Sequence, residues 1–179
     1  MGRKKDNWNL GWFFYHKAGE GDGCPPDPAG SGLTPGYRPV KLPHDWSLEY
    51  PFDEKAASCG SGGYVETGIG WYKKIFTVTE EEVRGKHLFL CFDGAYMKTR
   101  VWLNGSRIKE HIYGYTPFSV EITELVKTGR GECNVLDVEI DNSGQPGSRW
   151  YSGSGITRDV WILTVCLLYT SDAADEEDS

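Results

Sequence analysis

The run Arg149-Trp150-Tyr151-Ser152-Gly153-Ser154-Gly155-Ile156-Thr157-Arg158-Asp159-Val160-Trp161 gathers the residue types with which a protein holds a sugar. Trp and Tyr offer flat apolar faces with one polar edge each, suited to the C–H faces and rim hydroxyls of a pyranose. The small residues between them let the backbone turn tightly and come close to a ligand or a neighbouring domain. Arg149 and, earlier in the same loop, Gln145 add hydrogen-bonding groups, the guanidinium as a fixed fork of donors. The competing reading makes Arg149 a structural bridge between domains, with Trp150 packed in the interior.

Other reactive residue types are present without the spacing their chemistry needs. His44 and Asp45 are adjacent on an extended segment, so their side chains point to opposite sides and form no relay. With Trp46 buried behind them they read as a structural corner. Ser152-Gly153-Ser154-Gly155 lacks the strand-to-helix surroundings of a nucleophile elbow. The four histidines are far apart and show no metal-ligand spacing. Asp93, Asp141 and Asn142 read as turn-fixing residues rather than calcium ligands. Cys24, Cys59, Cys91, Cys133 and Cys166 are an odd set with no Cys-x-x-Cys pair, which argues against a disulfide framework and against zinc. Cys91 and Cys166 lie in apolar runs and read as small core residues. No metal and no cofactor is expected.

A sugar-facing loop needs a rigid frame, and the composition describes one. A chain of 179 residues makes one domain, long enough to bury a core. Aromatics are 13% of residues, with seven Trp and ten Tyr beside 23 Gly, the profile of a turn-rich all-β domain. The net charge is −7, but Asp172, Asp175, Glu176, Glu177 and Asp178 fall in the last ten residues with no Lys or Arg. Setting those five aside leaves about −2 and no basic face for nucleic acid. No run approaches the ~18 apolar residues of a membrane span. The charged start, 1–6, leads into no sustained apolar stretch, so no signal peptide is expected. A cytoplasmic location follows, or a periplasmic or secreted one if the true start lies upstream of Met1.

Along the chain, 1–63 reads as an irregular, loop-rich lead-in. Its 19–36 stretch is crowded with Gly, Pro and Asp. The main strands are expected over 64–165. Strand 71–79 puts Tyr72, Phe76 and Val78 on one face and Trp71 and Ile75 on the other. Strand 86–93 is apolar on both faces, as if buried between layers. Strands 99–103 and 107–111 flank Asn104-Gly105, the strongest two-residue hairpin signal. In 118–123, Phe118, Val120 and Ile122 alternate with polar residues, and 134–140 and 160–168 complete the set. Six to eight strands without a long helix argue for an antiparallel β-sandwich spanning 1–165. Residues 166–179 read as a disordered acidic tail or a non-native terminus.

Seven strings resemble the N-terminal sugar-binding domain of glycoside hydrolase family 2, closest to its β-galactosidase-like members. They are 42–46 (Leu-Pro-His-Asp-Trp), 68–72 (Gly-Ile-Gly-Trp-Tyr), 92–94 (Phe-Asp-Gly), 101–105 (Val-Trp-Leu-Asn-Gly), 114–118 (Gly-Tyr-Thr-Pro-Phe), 141–143 (Asp-Asn-Ser) and 148–158. Their order and separation match the family over about residues 8–165. The resemblance implies a jelly-roll β-sandwich of the galactose-binding type. In the family this domain precedes an immunoglobulin-like sandwich and a (β/α)8 barrel carrying two catalytic glutamates.

A barrel takes about 250 residues, and no carboxylate pair here has the context of a retaining acid/base and nucleophile. No catalytic residue is therefore expected in this chain. The implied function is the non-catalytic domain of an enzyme that hydrolyses terminal β-glycosidic bonds. The alternative is a free-standing carbohydrate-binding module. Implied substrate-binding residues are Arg149, Trp150 and Tyr151, on a loop that reaches toward the barrel in the family, and Thr67, on a second loop near the same pocket. Many members have an aspartate where Arg149 aligns and an asparagine at Thr67. A plain loop before strand 71–79 is the other reading of Thr67. Implied partners are carbohydrate, the enzyme's remaining domains and a second copy of the chain.

Overall fold

Alternating apolar and polar residues pair into two facing antiparallel sheets. The computed structural model describes residues 2–17, 33, 35–147 and 150–166. In chain order the elements are β1 (Arg3–Asn7), β2 (Trp12–Lys17), β3 (Arg38–Val40), β4 (Gly68–Phe76), α1 (Glu80–Val83), β5 (Lys86–Phe92), β6 (Lys98–Leu103), β7 (Ser106–His111), β8 (Phe118–Glu121), β9 (Asn134–Asn142) and β10 (Val160–Cys166). One sheet runs β1-β10-β5-β8 and the other β3-β2-β4-β9-β6-β7. The fold is the jelly-roll β-sandwich the sequence implied.

Between the sheets, Trp12, Phe14, Tyr72, Val138 and Ile140 meet Leu88, Leu90, Phe92 and Val160 in one apolar core. Each such side chain contributes roughly 1.5–3 kcal/mol when fully buried. The β6–β7 hairpin turns at Asn104-Gly105, where Asn104 takes φ 53°. The Asn104 side chain also donates to Asn134 at 2.9 Å and accepts from the Val135 amide at 3.0 Å, tying the turn to β9. On the outer face of the larger sheet, Lys73 and Asp137 sit opposite each other on β4 and β9, fully buried with 3.3 Å between charges. Beside them Arg100 bridges Glu139 on β9 and Glu110 on β7. Opposite charges facing across strands are what allow such groups to leave water.

The corner at 44–49 is built around Trp46, which is fully buried. Its ring stacks near Phe14 at 5.5 Å and covers Gly70 of β4, where a Cβ would lie 2.4 Å from the indole. A short 3₁₀ turn, Trp46–Glu49, begins here. His44 shares a hydrogen bond with the Tyr72 hydroxyl at 2.7 Å through Nδ1 and faces Glu49 at 3.1 Å through Nε2. His16 lies against the Thr67 carbonyl at 3.1 Å and the Tyr50 hydroxyl at 3.1 Å. Burial pulls both imidazoles below their ordinary value of 6.5, against the pull of Glu49 and, for His16, the Thr67 carbonyl and Glu66.

Several expectations need correction. The stretch 1–63 contains β1, β2 and β3. β1 is almost entirely exposed and polar, so backbone pairing to β10, not an apolar face, makes it a strand. Strand β5 buries one side only, since Phe89 and Cys91 are half-buried while Leu88, Leu90 and Phe92 are core. Cys166 is exposed at the end of β10 rather than in the core. Cys24, most of the 19–36 loop and the tail from 167 lie outside the described residues.

Two outcomes follow from the corner. Gly70→Ala drives a methyl into Trp46 and should cost about 1–3 kcal/mol, whereas Gly144→Ala, which meets nothing within 4 Å, should stay within about 0.5 kcal/mol. Thermal melts of the two variants check this. The depressed histidines also set a pH dependence. Below 6.5 the unfolded chain binds protons that the folded corner refuses, so stability is present above that value and falls as the solution is acidified. Melting midpoints between about pH 7 and 5 should drop in the parent and drop less in His44→Gln.

Candidate functional site

Chain segment 44–46 runs antiparallel to 154–156. The His44 amide donates to the Ile156 carbonyl at 2.8 Å and the Trp46 amide to the Ser154 carbonyl at 3.0 Å. Two backbone bonds thus dock the Ser/Gly loop onto the corner. The close approach requires Gly155, whose φ is 132° and where a Cβ would meet the His44 carbonyl at 2.5 Å and the Tyr72 hydroxyl at 2.4 Å.

A buried polar hub locks the neighbouring loops to this seam. Ser47 Oγ donates to the Glu66 carbonyl at 2.6 Å and lies 2.8 Å from Ser154 Oγ. Asn142 Nδ2, at the end of β9, donates to Ser154 Oγ at 2.8 Å, and Gln145 Nε2 donates to Asn142 Oδ1 at 3.0 Å. Hydroxyls and amides this deep are stable only because each finds a partner. The hub therefore fixes four stretches relative to one another: the corner, the turn before β4, the loop after β9 and the Ser/Gly loop.

These stretches share a recess lined by Thr67, Asn142, Gln145, Trp150, Tyr151 and Ser152, with Ser58, Gly62, Val65, Tyr96, Gly147, Gly153 and Ser154 completing its walls. It offers about 20 Å³ to the centre of a water molecule, room for ordered water and not for a pyranose ring. Trp150 is 62% exposed and Tyr151 42%. The expected alternative, Trp150 packed inside the sandwich, is thereby overturned. Its indole Nε1 donates to the Tyr115 hydroxyl at 3.2 Å, and that hydroxyl in turn donates to Ser152 Oγ at 3.2 Å. Tyr115 stands edge-on to Tyr96 with centroids 5.2 Å apart. An open aromatic surface is thus held rigid at the mouth of the recess.

Of the residues singled out from the sequence, the structure brings Thr67, Trp150 and Tyr151 to one place. Arg149 lies outside the described residues. Asp141 does fix a turn, accepting from the Ser143 amide at 3.0 Å, and Asp93 holds the Trp161 indole at 2.7 Å. His44 and Asp45 face different partners, as their adjacency requires. Sequence reasoning missed the roles of Tyr115, Ser47 and Ser154, and Asn142 does more than fix a turn. Tyr115 lies in one of the recognised strings, but its bond to Ser152 spans 37 residues and leaves no periodic trace.

Comparison with known proteins places the chain in a family. The family model for glycosyl hydrolases family 2, sugar binding domain, matches residues 45–166. A β-galactosidase of Bacteroides ovatus is 39% identical over 165 residues, which cover 89% of this chain and 18% of that protein. A β-glucuronidase of Bacteroides fragilis is 38% identical over 131 residues, 70% of this chain and 17% of that protein. The solved structure of a glycosyl hydrolase family 2 member from Bacteroides cellulosilyticus matches with a TM-score of 0.77 at 34% identity, covering 89% of this chain and 20% of that one. The chain spans about a fifth of the length of these relatives. It belongs to glycoside hydrolase family 2 and carries that family's sugar-binding domain.

Proposed function

We propose that this domain forms one wall of the substrate pocket in a longer enzyme that hydrolyses terminal β-galactosides or related β-glycosides. Thr67, Trp150 and Tyr151, with Arg149 on the same loop, face the sugar in this reading. The observation that carries it is the convergence of Thr67, Gln145, Trp150 and Tyr151 on a recess too small to hold a sugar by itself. Ligand pockets enclose most of their ligand's surface, so this wall needs others, and the remaining domains of the enzyme supply them. Carbohydrate and those domains are accordingly the partners. The relatives named β-galactosidase and β-glucuronidase support the reaction class. A self-sufficient carbohydrate-binding module would need a platform or cleft matching a whole ring, and the recess is a poor match for that.

Two measurements test this reading. The 179-residue chain should release no nitrophenol from nitrophenyl β-galactoside or β-glucuronide above a buffer blank, since hydrolysis needs a paired acid/base and nucleophile. Turnover that survives repurification would refute it. Titration of the same chain with methyl β-galactoside, followed by nuclear magnetic resonance shifts of the Trp150 indole, should give a Kd of about 1 mM or weaker, near −4 kcal/mol. Micromolar binding would instead establish a free-standing module.

A further inference from the structure

Asp45 is absent from the lining of the recess, yet its carboxylate collects donors from both sides of the seam. Oδ1 accepts the Ser47 amide at 3.1 Å and the Ser154 amide at 2.9 Å, while Oδ2 accepts the Tyr151 hydroxyl. The Ser154 and Tyr151 donors lie 109 and 106 residues away in sequence.

The first two bonds serve the backbone, capping the 3₁₀ turn and closing the loop onto the corner. The third does something different. Tyr151 is partly exposed, so water could satisfy its phenol in several rotamers at little cost. A hydroxyl donating to an ionised carboxylate makes a charge-assisted bond, stronger than the bond to water it replaces. It therefore selects one orientation of the ring. Gly153 leaves the space this needs, since a Cβ there would come within 2.9 Å of Asp45 Oδ2. The loop thus carries a residue without a side chain at the point where the carboxylate passes beneath it.

We propose that Asp45 is a positioning residue of the sugar site, orienting Tyr151 and the 150–153 loop toward a pyranose that Asp45 itself never touches. This rests on the reading of the recess as one wall of a sugar pocket. Aromatic contact with a sugar face depends on the tilt of the ring, so a freely rotating Tyr151 would present that face only part of the time. Its loss would weaken ground-state binding more than the chemical step.

The test uses the full-length enzyme that carries this domain, assayed with whichever of nitrophenyl β-galactoside or β-glucuronide it turns over faster. Asp45→Asn keeps an oxygen for the two backbone amides and removes the charge, while Tyr151→Phe removes only the hydroxyl. Each should raise KM about five- to tenfold with kcat within about twofold and the melting midpoint nearly unchanged. The double variant should be no worse than either single one, because both act through one bond. Unchanged KM in Tyr151→Phe, or additive losses in the double variant, would overturn the proposal, and Tyr151→Phe decides it even if Asp45→Asn fails to fold. Trp150→Ala separates the two levels. If it raises KM while Tyr151→Phe does not, only the positioning role fails; if KM is indifferent to Trp150→Ala, the sugar-wall reading falls and the positioning role with it.

Discussion

The burial of Trp46 is the constraint from which the arrangement of loops at the recess follows. The indole fits against the sheet only because Gly70 lies beneath it, where a Cβ would come within 2.4 Å of the ring, while Gly155 beside it leaves room for the His44 carbonyl and the Tyr72 hydroxyl. Close packing makes such a site unforgiving, since interiors tolerate little excess volume. With the indole seated, the backbone on either side of it is committed. The segment leading into it, 44–46, pairs with 154–156, and the 3₁₀ turn that starts at Trp46 is capped by Asp45. A large apolar side chain in the core thereby dictates where polar loops meet at the surface.

Polar chemistry then takes over from packing. The bonds linking Ser47, Ser154, Asn142 and the Glu66 carbonyl are nearly all shielded from water. In a low-dielectric setting a satisfied network rigidifies its members, while a half-satisfied one is costly. Residues on loops usually trade precision for freedom, but here four loop stretches inherit the stiffness of the sandwich. Trp150 and Tyr115 extend it outward by sharing a hydrogen bond while both rings stay in water. The aromatic surface is thereby fixed to the frame of the sandwich.

Local signals made the frame legible in the sequence, and distance hid the rest. Asn104-Gly105 announces a hairpin because its turn requires positive φ, and β6 and β7 follow from it. β4 is legible because Tyr72 and Trp71 alternate between two differently buried faces, but it runs Gly68–Phe76 rather than the expected 71–79, and Val78 lies beyond its end. β1 left no such trace, since Arg3–Asn7 is an edge strand with no apolar alternation. β3 contains Pro39, which weakens any strand signal. β5 misled because Phe89 and Cys91 are only half-buried on its outer side, where Leu163 and Trp161 of β10 lie opposite them. Thr67, Trp150 and Tyr151 were accessible through motif resemblance, but the linkage of Asp45 to Tyr151 depends on a contact that no window of sequence contains. Alternation reports which face is buried, not which distant loop arrives.

The placement of β10 has a consequence for the order in which the molecule is made. This strand, the last described in the chain, lies inside its sheet, between β1 and β5, with Val165 opposite Arg3 and Val160 opposite Phe92. Until it emerges from the ribosome, β1 has no partner and the β5 edge stands open. The contacts that seal the smaller sheet span almost the whole domain, and such non-local pairings are slow to form. Until then the core beside Leu90 and Phe92 lacks Ile162 and Val160, a window in which chaperone protection matters most. Synthesis past Cys166 closes that window, so the timing of translation is built into the strand order.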